Sequence, residues 1–369
     1  MGAYRDEQGK PWVLPSVRAA EKKILEQSLN KEYLGIAGLP SFVQRSLEFA
    51  YGAKSKPLQE RRIAGLQTLS GTGACRVAAE FLNRFKLSAH GAIYQPNPTW
   101  GNHVPIFRDA GMKVEQYKYY DAKTRGLDFS GFLESLESAP AGSAFLLHAC
   151  AHNPTGVDPT PAQWKDVSAV FKKKRHLAFF DCAYQGFASG DADKDAAAVR
   201  QFVEDGHQVM LAQSYAKNFG LYNDRVGAFS VVCRDVEEKD RVESQLKILV
   251  RPAYSNPPAH GARIVDTILS DPVLKPQWYA ECKSMADRII LMRKLLRDTL
   301  EKDLKSKQSW KHIEDQIGMF AMTGLTKDQV QKMIDVHHIY MTADGRISVA
   351  GVTQKNVRYI AEAILDVTK

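Results

Sequence analysis

The stretch Leu177-Ala-Phe-Phe-Asp-Cys-Ala-Tyr184 is the part of the sequence that decides the fold. It opens with four apolar residues that do not alternate with polar ones, which is typical of a strand buried on both faces. Similar short apolar runs recur, with helix-like segments between them, and this alternation predicts an α/β protein with a mostly parallel sheet. The predicted strands are 91–94, 144–148, 177–181, 209–213 and 227–232, and the predicted helices include 75–85 and 161–173.

The pattern changes after about Asp271. One long amphipathic helix is predicted over 277–302, because apolar side chains recur along it at helical spacing. The other elements predicted there are strands at 317–324 and 346–351 and a helix at 354–368. Since 369 residues are enough for two domains, we expect residues 12–284 to form the larger one. Residues 285–369, with residues 1–11 packed on them, would form a smaller α+β domain.

The composition favours a protein that acts on small anions. Lys and Arg number 50 against 42 Asp and Glu, a net charge of +8, but they are scattered rather than grouped as in a nucleic-acid-binding surface. The one dense group, Lys172 to Arg175, falls at a predicted helix end, where cations complement the helix dipole. No apolar run approaches the ~20 residues of a membrane span, and the first residues do not resemble a targeting segment.

The cysteines and histidines show no metal-binding or disulfide pattern. The five cysteines are odd in number, widely spaced and without a CxxC pair, so the sequence predicts neither a disulfide framework nor a zinc site. His103, His148 and His152 are not arranged as metal ligands, and we expect core positions or supporting hydrogen bonds for them. No metal is therefore predicted.

Two residues at predicted strand ends are the strongest candidates for chemistry. Lys217 follows strand 209–213, where burial would lower the pKa of its amine and leave it free to form a Schiff base with an aldehyde. Asp181 ends its strand on the edge where α/β proteins bind ligands, and its charge suits the protonated ring nitrogen of pyridoxal phosphate (PLP). Tyr184 could donate to the phenolate oxygen of that ring. Alone, each is more often a surface or turn residue, so the argument rests on their combination.

A group of small and basic residues is suited to a phosphate. Ser70-Gly71-Thr72-Gly73-Ala74 leads into a predicted helix, whose N-terminus attracts anions. The run is neither GxGxxG nor a Walker loop, so by itself it is a weak signal that a plain helix-start loop also explains. Ser214 and Arg225 flank Lys217 and could hold the same anion.

Four further side chains suit a flat ring and a dicarboxylic ligand. Asn153 lies at a strand end before a proline, and Trp100, in Asn-Pro-Thr-Trp, could cover one face of a ring or simply belong to the core. The guanidinium groups of Arg251 and Arg346 could each grip a carboxylate with two hydrogen bonds, although a surface ion pair is the commoner role for a single arginine.

Taken together, these motifs closely resemble the aspartate aminotransferases, PLP enzymes of fold type I, and in particular their mitochondrial branch. The resemblance implies a large domain with a mostly parallel seven-stranded sheet flanked by helices, plus a smaller α+β domain. It also implies a segment upstream of Gly2 that the given sequence does not include, with an arm that crosses to a partner. The motifs are Ser-Gly-Thr-Gly-Ala (70–74), Asn-Pro-Thr-Trp-Gly-Asn-His (97–103), His-Ala-Cys-Ala-His-Asn-Pro-Thr-Gly (148–156), Phe-Phe-Asp-Cys-Ala-Tyr-Gln-Gly-Phe (179–187), Gln-Ser-Tyr-Ala-Lys-Asn-Phe-Gly-Leu-Tyr (213–222) and Asp-Gly-Arg-Ile-Ser-Val-Ala-Gly (344–351).

The resemblance also implies a role for each site residue. Lys217 would hold PLP and then act as the base, while Asp181, supported by His103, would pair with the ring nitrogen. Tyr184 and Asn153 would bond the phenolate oxygen. The phosphate would be held by Ser70, Gly71, Thr72, Ser214 and Arg225, with Tyr33 reaching the phosphate of the other subunit, and Trp100 would stack on the ring. Substrate contacts would come from Gly2, Trp100, Asn153 and Arg346, and from Arg251 and Asn256 of a second copy.

The function implied is reversible amino transfer from L-aspartate to 2-oxoglutarate, in a homodimer with shared active sites, with kynurenine and other aromatic amino acids as side substrates. The mitochondrial matrix is the implied location, with the cytoplasm as the alternative. A second hypothesis remains open at this point. A short chain with a charge of +8 could be a non-enzymatic form that offers a lipid- or protein-binding surface.

Overall fold

The computed structural model describes residues 2–369 and shows an α/β architecture around one large sheet. The strands are β1 Ile63–Leu69, β2 Ala92–Asn97, β3 Lys113–Lys118, β4 Tyr120–Asp121, β5 Gly126–Leu127, β6 Ala144–His148, β7 Leu177–Cys182, β8 Met210–Ser214, β9 Val226–Val232, β10 Phe320–Met322 and β11 Arg346–Ser348. The helices are α1 Pro15–Glu26, α2 Pro40–Tyr51, α3 Lys56–Gln59, α4 Ser70–Arg84, α5 His103–Arg108, α6 Phe129–Ser138, α7 Pro161–Lys174, α8 Ala192–Asp195, α9 Ala197–Glu204, α10 Val236–Tyr254, α11 Ala259–Ser270, α12 Leu274–Asp298, α13 Lys311–Asp315, α14 Lys327–Asp335 and α15 Val357–Val367.

The large sheet has seven strands in the order β1-β9-β8-β7-β6-β2-β3. Strand β9 runs antiparallel to both of its neighbours, and the other neighbouring pairs are parallel. The carboxyl ends of β6, β7 and β8 therefore meet at one edge. They place His148, Asp181 and Ser214 side by side there, because His148 pairs with Asp181 in register and Asp181 lies one residue before the end of its strand.

Both faces of the sheet are covered, which explains why its central strands read as unbroken apolar runs. Successive residues of a strand point to opposite faces. Phe180 accordingly packs with Trp164 and Phe202 on one side, while Phe179 packs with Phe107 on the other. The flanking helix α7 begins where the sequence signals it, with a capping box between Thr160 and Gln163 and a proline in the first turn.

Two strands of the sheet escaped the sequence analysis. Strand β3 forms an edge and is mostly exposed, so its sequence Lys-Val-Glu-Gln-Tyr-Lys has no apolar run. Strand β1 is buried, but Gly65, Gln67 and Thr68 interrupt its apolar residues. A Cβ on Gly65 would lie 3.1 Å from Val43 Cγ1, so the glycine permits close packing of α2 on the sheet.

The C-terminal part of the chain is built along α12, which is 25 residues long and continues into one π-helical turn, Thr299–Asp303. At one end, Trp278 Nε1 donates to the backbone oxygen of Asn218 at 3.0 Å. Further along, the buried guanidinium of Arg293 donates to the backbone oxygens of Ile313 and Gly318, at 2.8 and 2.7 Å, and to that of Phe320. The two-stranded sheet β10-β11 and helices α14 and α15 complete this part. Its predicted strands 317–324 and 346–351 are shorter in the structure.

Among residues 2–369, no helix combines the length and apolarity needed to cross a membrane.

Asp195 gives a pH-dependent test of the packing beside the sheet. It accepts hydrogen bonds from the backbone N–H groups of Gly186, at 2.8 Å, and Ser189, yet burial raises the pKa of Asp195 to about 6. An unfolded carboxyl ionises near pH ~4, so between about pH 4 and 6 the folded chain holds a proton that the unfolded chain has lost. The stability contributed by this group therefore falls as pH rises through that window.

Asp195→Asn should remove this fall. The free energy of unfolding of the variant relative to the wild type should increase by up to about 3 kcal/mol between pH 4 and pH 6, measured by urea unfolding at each pH. Asp193→Asn, at a side chain that is 84% exposed, is the control. A difference between Asp195→Asn and wild type that stays constant across the window would contradict the assignment.

Candidate active site

A cleft with a cavity volume of about 130 Å³ opens where β6, β7 and β8 end and α4 begins. Most of the residues predicted for the cofactor line it together, although they come from five separate stretches of the chain. These residues are Ser70, Gly71, Thr72, Trp100, Asn153, Asp181, Tyr184, Ser214, Lys217 and Arg225.

The start of α4 forms an anion-binding corner of the cleft. The sequence analysis placed 70–74 in a loop, but the structure places these residues in the first helical turn, directly after β1. The turn is tight, since Ser70 has a φ of 61° and a Cβ on Gly71 would lie 3.0 Å from the Ser214 Cβ. The unpaired N–H groups of a first turn, with the positive end of the helix dipole, suit a phosphate.

Close backbone packing of β8 and β9 against the start of α4 supports the anion-binding corner. A Cβ on Gly227 would lie 2.5 Å from the backbone oxygen of Gln213 and 2.6 Å from the carbonyl carbon of Ser70. Only glycine allows β8, β9 and the start of α4 to approach so closely. The hydroxyl oxygens of Ser70 and Ser214 are 3.0 Å apart, so both face the same point. Arg225, at the start of β9, brings a positive charge to this wall of the cleft.

Asp181 is a largely buried carboxylate that stays ionised. Burial opposes its negative charge, but a 3.1 Å hydrogen bond from His103 Nε2 outweighs that effect and holds the pKa of Asp181 below its usual range. The nearby Lys217 acts in the same direction. His103 is fully buried, which keeps this hydrogen bond away from competing water.

The hydrogen bonds behind Asp181 run in one direction. The backbone N–H of Asn153 donates to His148 Nδ1 at 3.3 Å, so the proton of that neutral ring lies on Nε2 and is donated to Thr99 Oγ1 at 3.1 Å. The Thr99 hydroxyl then donates to His103 Nδ1 at 2.8 Å, and His103 Nε2 donates to Asp181. Burial lowers the pKa of His148 to about 3. A fixed backbone donor thus directs the whole series toward the carboxylate.

Lys217 brings an amine with increased nucleophilicity into the cleft. Burial lowers its pKa, the positive charge of Arg225 adds to this effect and the charge of Asp181 opposes it. Its Nζ lies 5.7 Å from the centre of the Tyr184 ring. Burial, and then the charge of Asp181, raise the pKa of the Tyr184 hydroxyl. Tyr184 therefore keeps its proton and can act as a hydrogen-bond donor.

Arg346 reaches the mouth of the cleft from the C-terminal part of the chain. Its Nη1 donates to Asn153 Oδ1 at 3.1 Å, and its guanidinium lies over the Phe320 ring, 4.5 Å from the ring centre. Gly2 lies beside that ring as well, since a Cβ on it would be 3.6 Å from Phe320 Cζ. Arg346 and Gly2 thus both lie next to the Phe320 ring, and their shared role in substrate binding stays a prediction.

Three predicted residues lie outside the cleft of their own chain. Tyr33 is 90% exposed, and Asn256 donates to the backbone oxygen of Leu34 at 2.9 Å; both line a separate surface groove. Arg251 is exposed on α10 and donates to Ser255 Oγ at 2.6 Å. The structure therefore brings these three residues close to one another, but not to Lys217.

Some residues of the site were missed by the sequence analysis. Tyr222 lines the cleft and accepts the backbone N–H of Tyr4 at 2.8 Å, and its place between Lys217 and Arg225 could have signalled it. Thr99 carries the series of hydrogen bonds toward Asp181, although only its position inside the Asn-Pro-Thr-Trp motif hinted at a role. Cys150 also lines the cleft.

Comparisons with known proteins agree over the whole chain. The family described as aminotransferase class I and II matches residues 1–364. The mitochondrial aspartate aminotransferase of Xenopus tropicalis is 56% identical over 369 residues, which cover all of this chain and 86% of the relative.

Solved structures give the same result. The cytoplasmic aspartate aminotransferase of Saccharomyces cerevisiae matches with a TM-score of 0.96 and 47% identity, over all of this chain and 90% of its own. The aromatic-amino-acid aminotransferase of Burkholderia pseudomallei, solved covalently bound to pyridoxal phosphate, matches with a TM-score of 0.97 and 40% identity, over all of this chain and 92% of its own. The fold type I architecture expected from the sequence is confirmed, and the chain belongs to the class I and II aminotransferases.

Proposed function

We propose that the protein is a PLP-dependent aminotransferase that moves an amino group reversibly between L-aspartate and 2-oxoglutarate, giving oxaloacetate and L-glutamate. The observation that carries this proposal is one cleft in which the Lys217 amine, the ionised Asp181 carboxylate and the anion-binding start of α4 all face inward. The names of the Xenopus and yeast relatives support aspartate as the amino donor.

The residues of the cleft fit PLP part by part. The Asp181 carboxylate is the group that a protonated ring nitrogen needs, and Tyr184 and Asn153 offer donors for the phenolate oxygen. Trp100 lines the wall where it can cover the ring. The phosphate would be held by Ser70, Gly71, Thr72, Ser214 and Arg225. When bound, PLP withdraws electrons from the α-carbon of the amino acid through its protonated ring.

Lys217 performs the proton transfer in this proposal. Its Nζ takes the proton from the α-carbon of the amino acid and holds it, and burial favours the unprotonated amine that this step needs because it lowers the pKa of Lys217. Asp181, kept ionised by His103, stabilises the positive charge on the ring nitrogen while this happens. Tyr184 is buried and Lys217 largely so, which limits the access of water to the reacting atoms.

Selection of a dicarboxylate rests on two arginines. Arg346, beside Asn153, binds the α-carboxylate of the substrate. Arg251 binds the second carboxylate, and since it lies outside the cleft of its own chain, we infer that it acts in the cleft of a second copy. Tyr33 and Asn256 would reach the other subunit in the same way, which makes the active unit a homodimer.

We also propose that the chain is divided into two domains with different roles. Residues 12–284 contain the seven-stranded sheet and Lys217, so they would act as the cofactor-binding domain. Residues 285–369, joined by residues 1–11, would form the smaller domain that carries Arg346. Arg288, on the second of these parts, donates to the backbone oxygen of Asp6, which supports the grouping of the two ends.

The other functional expectations have unequal support. Aromatic amino acids, including kynurenine, are proposed as side substrates because the Burkholderia relative is named for them. The Xenopus relative supports a mitochondrial matrix location, and the yeast relative keeps the cytoplasm as the alternative. A non-enzymatic role for the chain is not favoured, since the residues needed for chemistry are present and assembled.

Lys217→Ala should abolish covalent attachment of the cofactor. Borohydride reduction of the PLP-loaded wild type should add one cofactor mass to the peptide that contains Lys217, and the variant should show no such addition. Turnover should fall by about 10²–10⁴-fold or more, because the proton acceptor is lost. Lys332→Ala, on the exposed face of α14, is the control and should behave like the wild type. Cofactor attached to any other lysine of the wild type would contradict the assignment of Lys217.

A hybrid dimer tests whether Arg251 acts across the interface. Lys217→Ala and Arg251→Ala chains, carrying different tags, are co-expressed and the hybrid is purified through both tags. If Arg251 serves the partner, one site of the hybrid lacks both groups and the other is intact, so aspartate turnover should reappear although each parent homodimer is nearly inactive. A hybrid as inactive as its parents would show that Arg251 serves its own chain.

Gly227→Ala tests the phosphate corner. The new methyl group would meet the backbone of Ser70 and Gln213, at a cost of about 1–3 kcal/mol in stability. PLP affinity should fall by about tenfold or more, measured by titration, while the affinity for pyridoxal, which has no phosphate, should change little. Gly351→Ala is the control, because nothing lies within 4 Å of its added Cβ. Equal losses for PLP and pyridoxal would contradict the prediction.

A further inference from the structure

A second set of ligand-type side chains lies directly behind the cleft. Cys75, His103 and Asp181 each offer one ligand atom, and the three atoms lie within 4.8 Å of one another. They come from three different elements, α4, the start of α5 and the end of β7. Cys75 and His103 are fully buried, while Asp181 lines the cleft and connects the cluster to solvent. The proposed amino transfer makes no use of Cys75.

The spacing is close to that of a zinc site. Zinc bonds of about 2.0–2.3 Å in a tetrahedral arrangement place neighbouring ligand atoms ~3.3–3.8 Å apart. His103 Nε2 and Asp181 Oδ2 are already 3.1 Å apart. The Cys75 sulfur lies within 4.8 Å of the ligand atoms of the other two residues, so it would have to approach them by at most about 1.5 Å. Thiolate, imidazole and carboxylate form a typical zinc set of three protein ligands, which leaves the fourth position for a water on the cleft side.

We propose that Cys75, His103 and Asp181 bind Zn²⁺ in the cofactor-free protein, and that the bound metal prevents PLP from loading. The claim that zinc prevents PLP from loading rests on the proposed function, because it takes Asp181 to be the partner of the ring nitrogen. A zinc ion on that carboxylate neutralises the negative charge with which the protonated ring nitrogen must pair. Metal and cofactor therefore exclude each other.

The charges and protons of this site balance. The Cys75 thiol gives its proton to solvent on binding, so that one thiolate and one carboxylate offset the two positive charges of the metal, as a buried site requires. His103 uses the lone pair of Nε2 for the metal and carries its proton on Nδ1. That proton is donated to Thr99 Oγ1, 2.8 Å away, which supplies the outer hydrogen bond that orients a metal-bound histidine.

The full-length protein freed of PLP tests metal binding directly. Equilibrium dialysis against Zn²⁺ should show one ion bound per chain, and Co²⁺ in its place should give a sulfur-to-metal charge-transfer band. Cys75→Ala and Cys75→Ser should each weaken binding at least about tenfold and abolish the band. Cys233→Ser, at a buried cysteine outside the cluster, should change neither. A wild type without bound metal, or a Cys75→Ala protein that binds as tightly, overturns the site.

Competition between Zn²⁺ and PLP tests whether the bound metal prevents the cofactor from loading. Zn²⁺ at one equivalent should lower the apparent PLP affinity of the wild type at least about tenfold, EDTA should restore it, and Cys75→Ala should load PLP equally well with and without the metal. Undiminished PLP binding in the presence of bound zinc overturns mutual exclusion. A wild type that fails to bind PLP even with EDTA sinks the proposed function instead, while equilibrium dialysis decides separately whether the metal site exists.

Discussion

The hydrogen bond from His103 to Asp181 is the interaction on which the site depends. A buried carboxylate ordinarily takes up a proton, because burial disfavours its charge. Here the donors behind it point the same way, since the series begins at the backbone N–H of Asn153. Asp181 thus stays charged although most of its side chain is shielded from water. This charge draws a cationic ring toward it and partly offsets the effect of burial on Lys217.

The position of the site could be read from the sequence, whereas its supporting contacts could not. Lys217 and Asp181 stood out because each follows an apolar run long enough for a buried strand, and parallel strands end at a common edge. Thr99 and Cys75 gave no such signal. A hydroxyl between two histidine rings, or a thiol beside them, becomes meaningful only when α4, α5 and β7 have packed together. Those contacts join residues far apart in the chain, which local patterns do not encode.

The same limit applies to the fold. Strand β6 was predicted with its observed bounds, because an unbroken apolar run between polar residues has one interpretation at that length. Edge strand β3 has a polar sequence, since its exposed side chains need no burial, and β1 contains the glycine that α2 packs against. The anion-binding residues 70–74 were placed in a loop, because serine and glycine disfavour helices in isolation. Tertiary packing of α4 on the sheet overrides that preference.

Helix α12 has a consequence for how Lys217 and Arg346 are spaced. Near its start, Trp278 bonds the backbone of Asn218, the residue after the proposed reactive lysine. About 22 Å further along its axis, Arg293 donates a hydrogen bond to the backbone oxygen of Phe320. The Phe320 ring in turn lies under the guanidinium of Arg346. One continuous helix therefore links the backbone next to the amine with the support of the guanidinium. A kink anywhere between those contacts would shift the α-carboxylate relative to the amine, even though the helix touches no substrate.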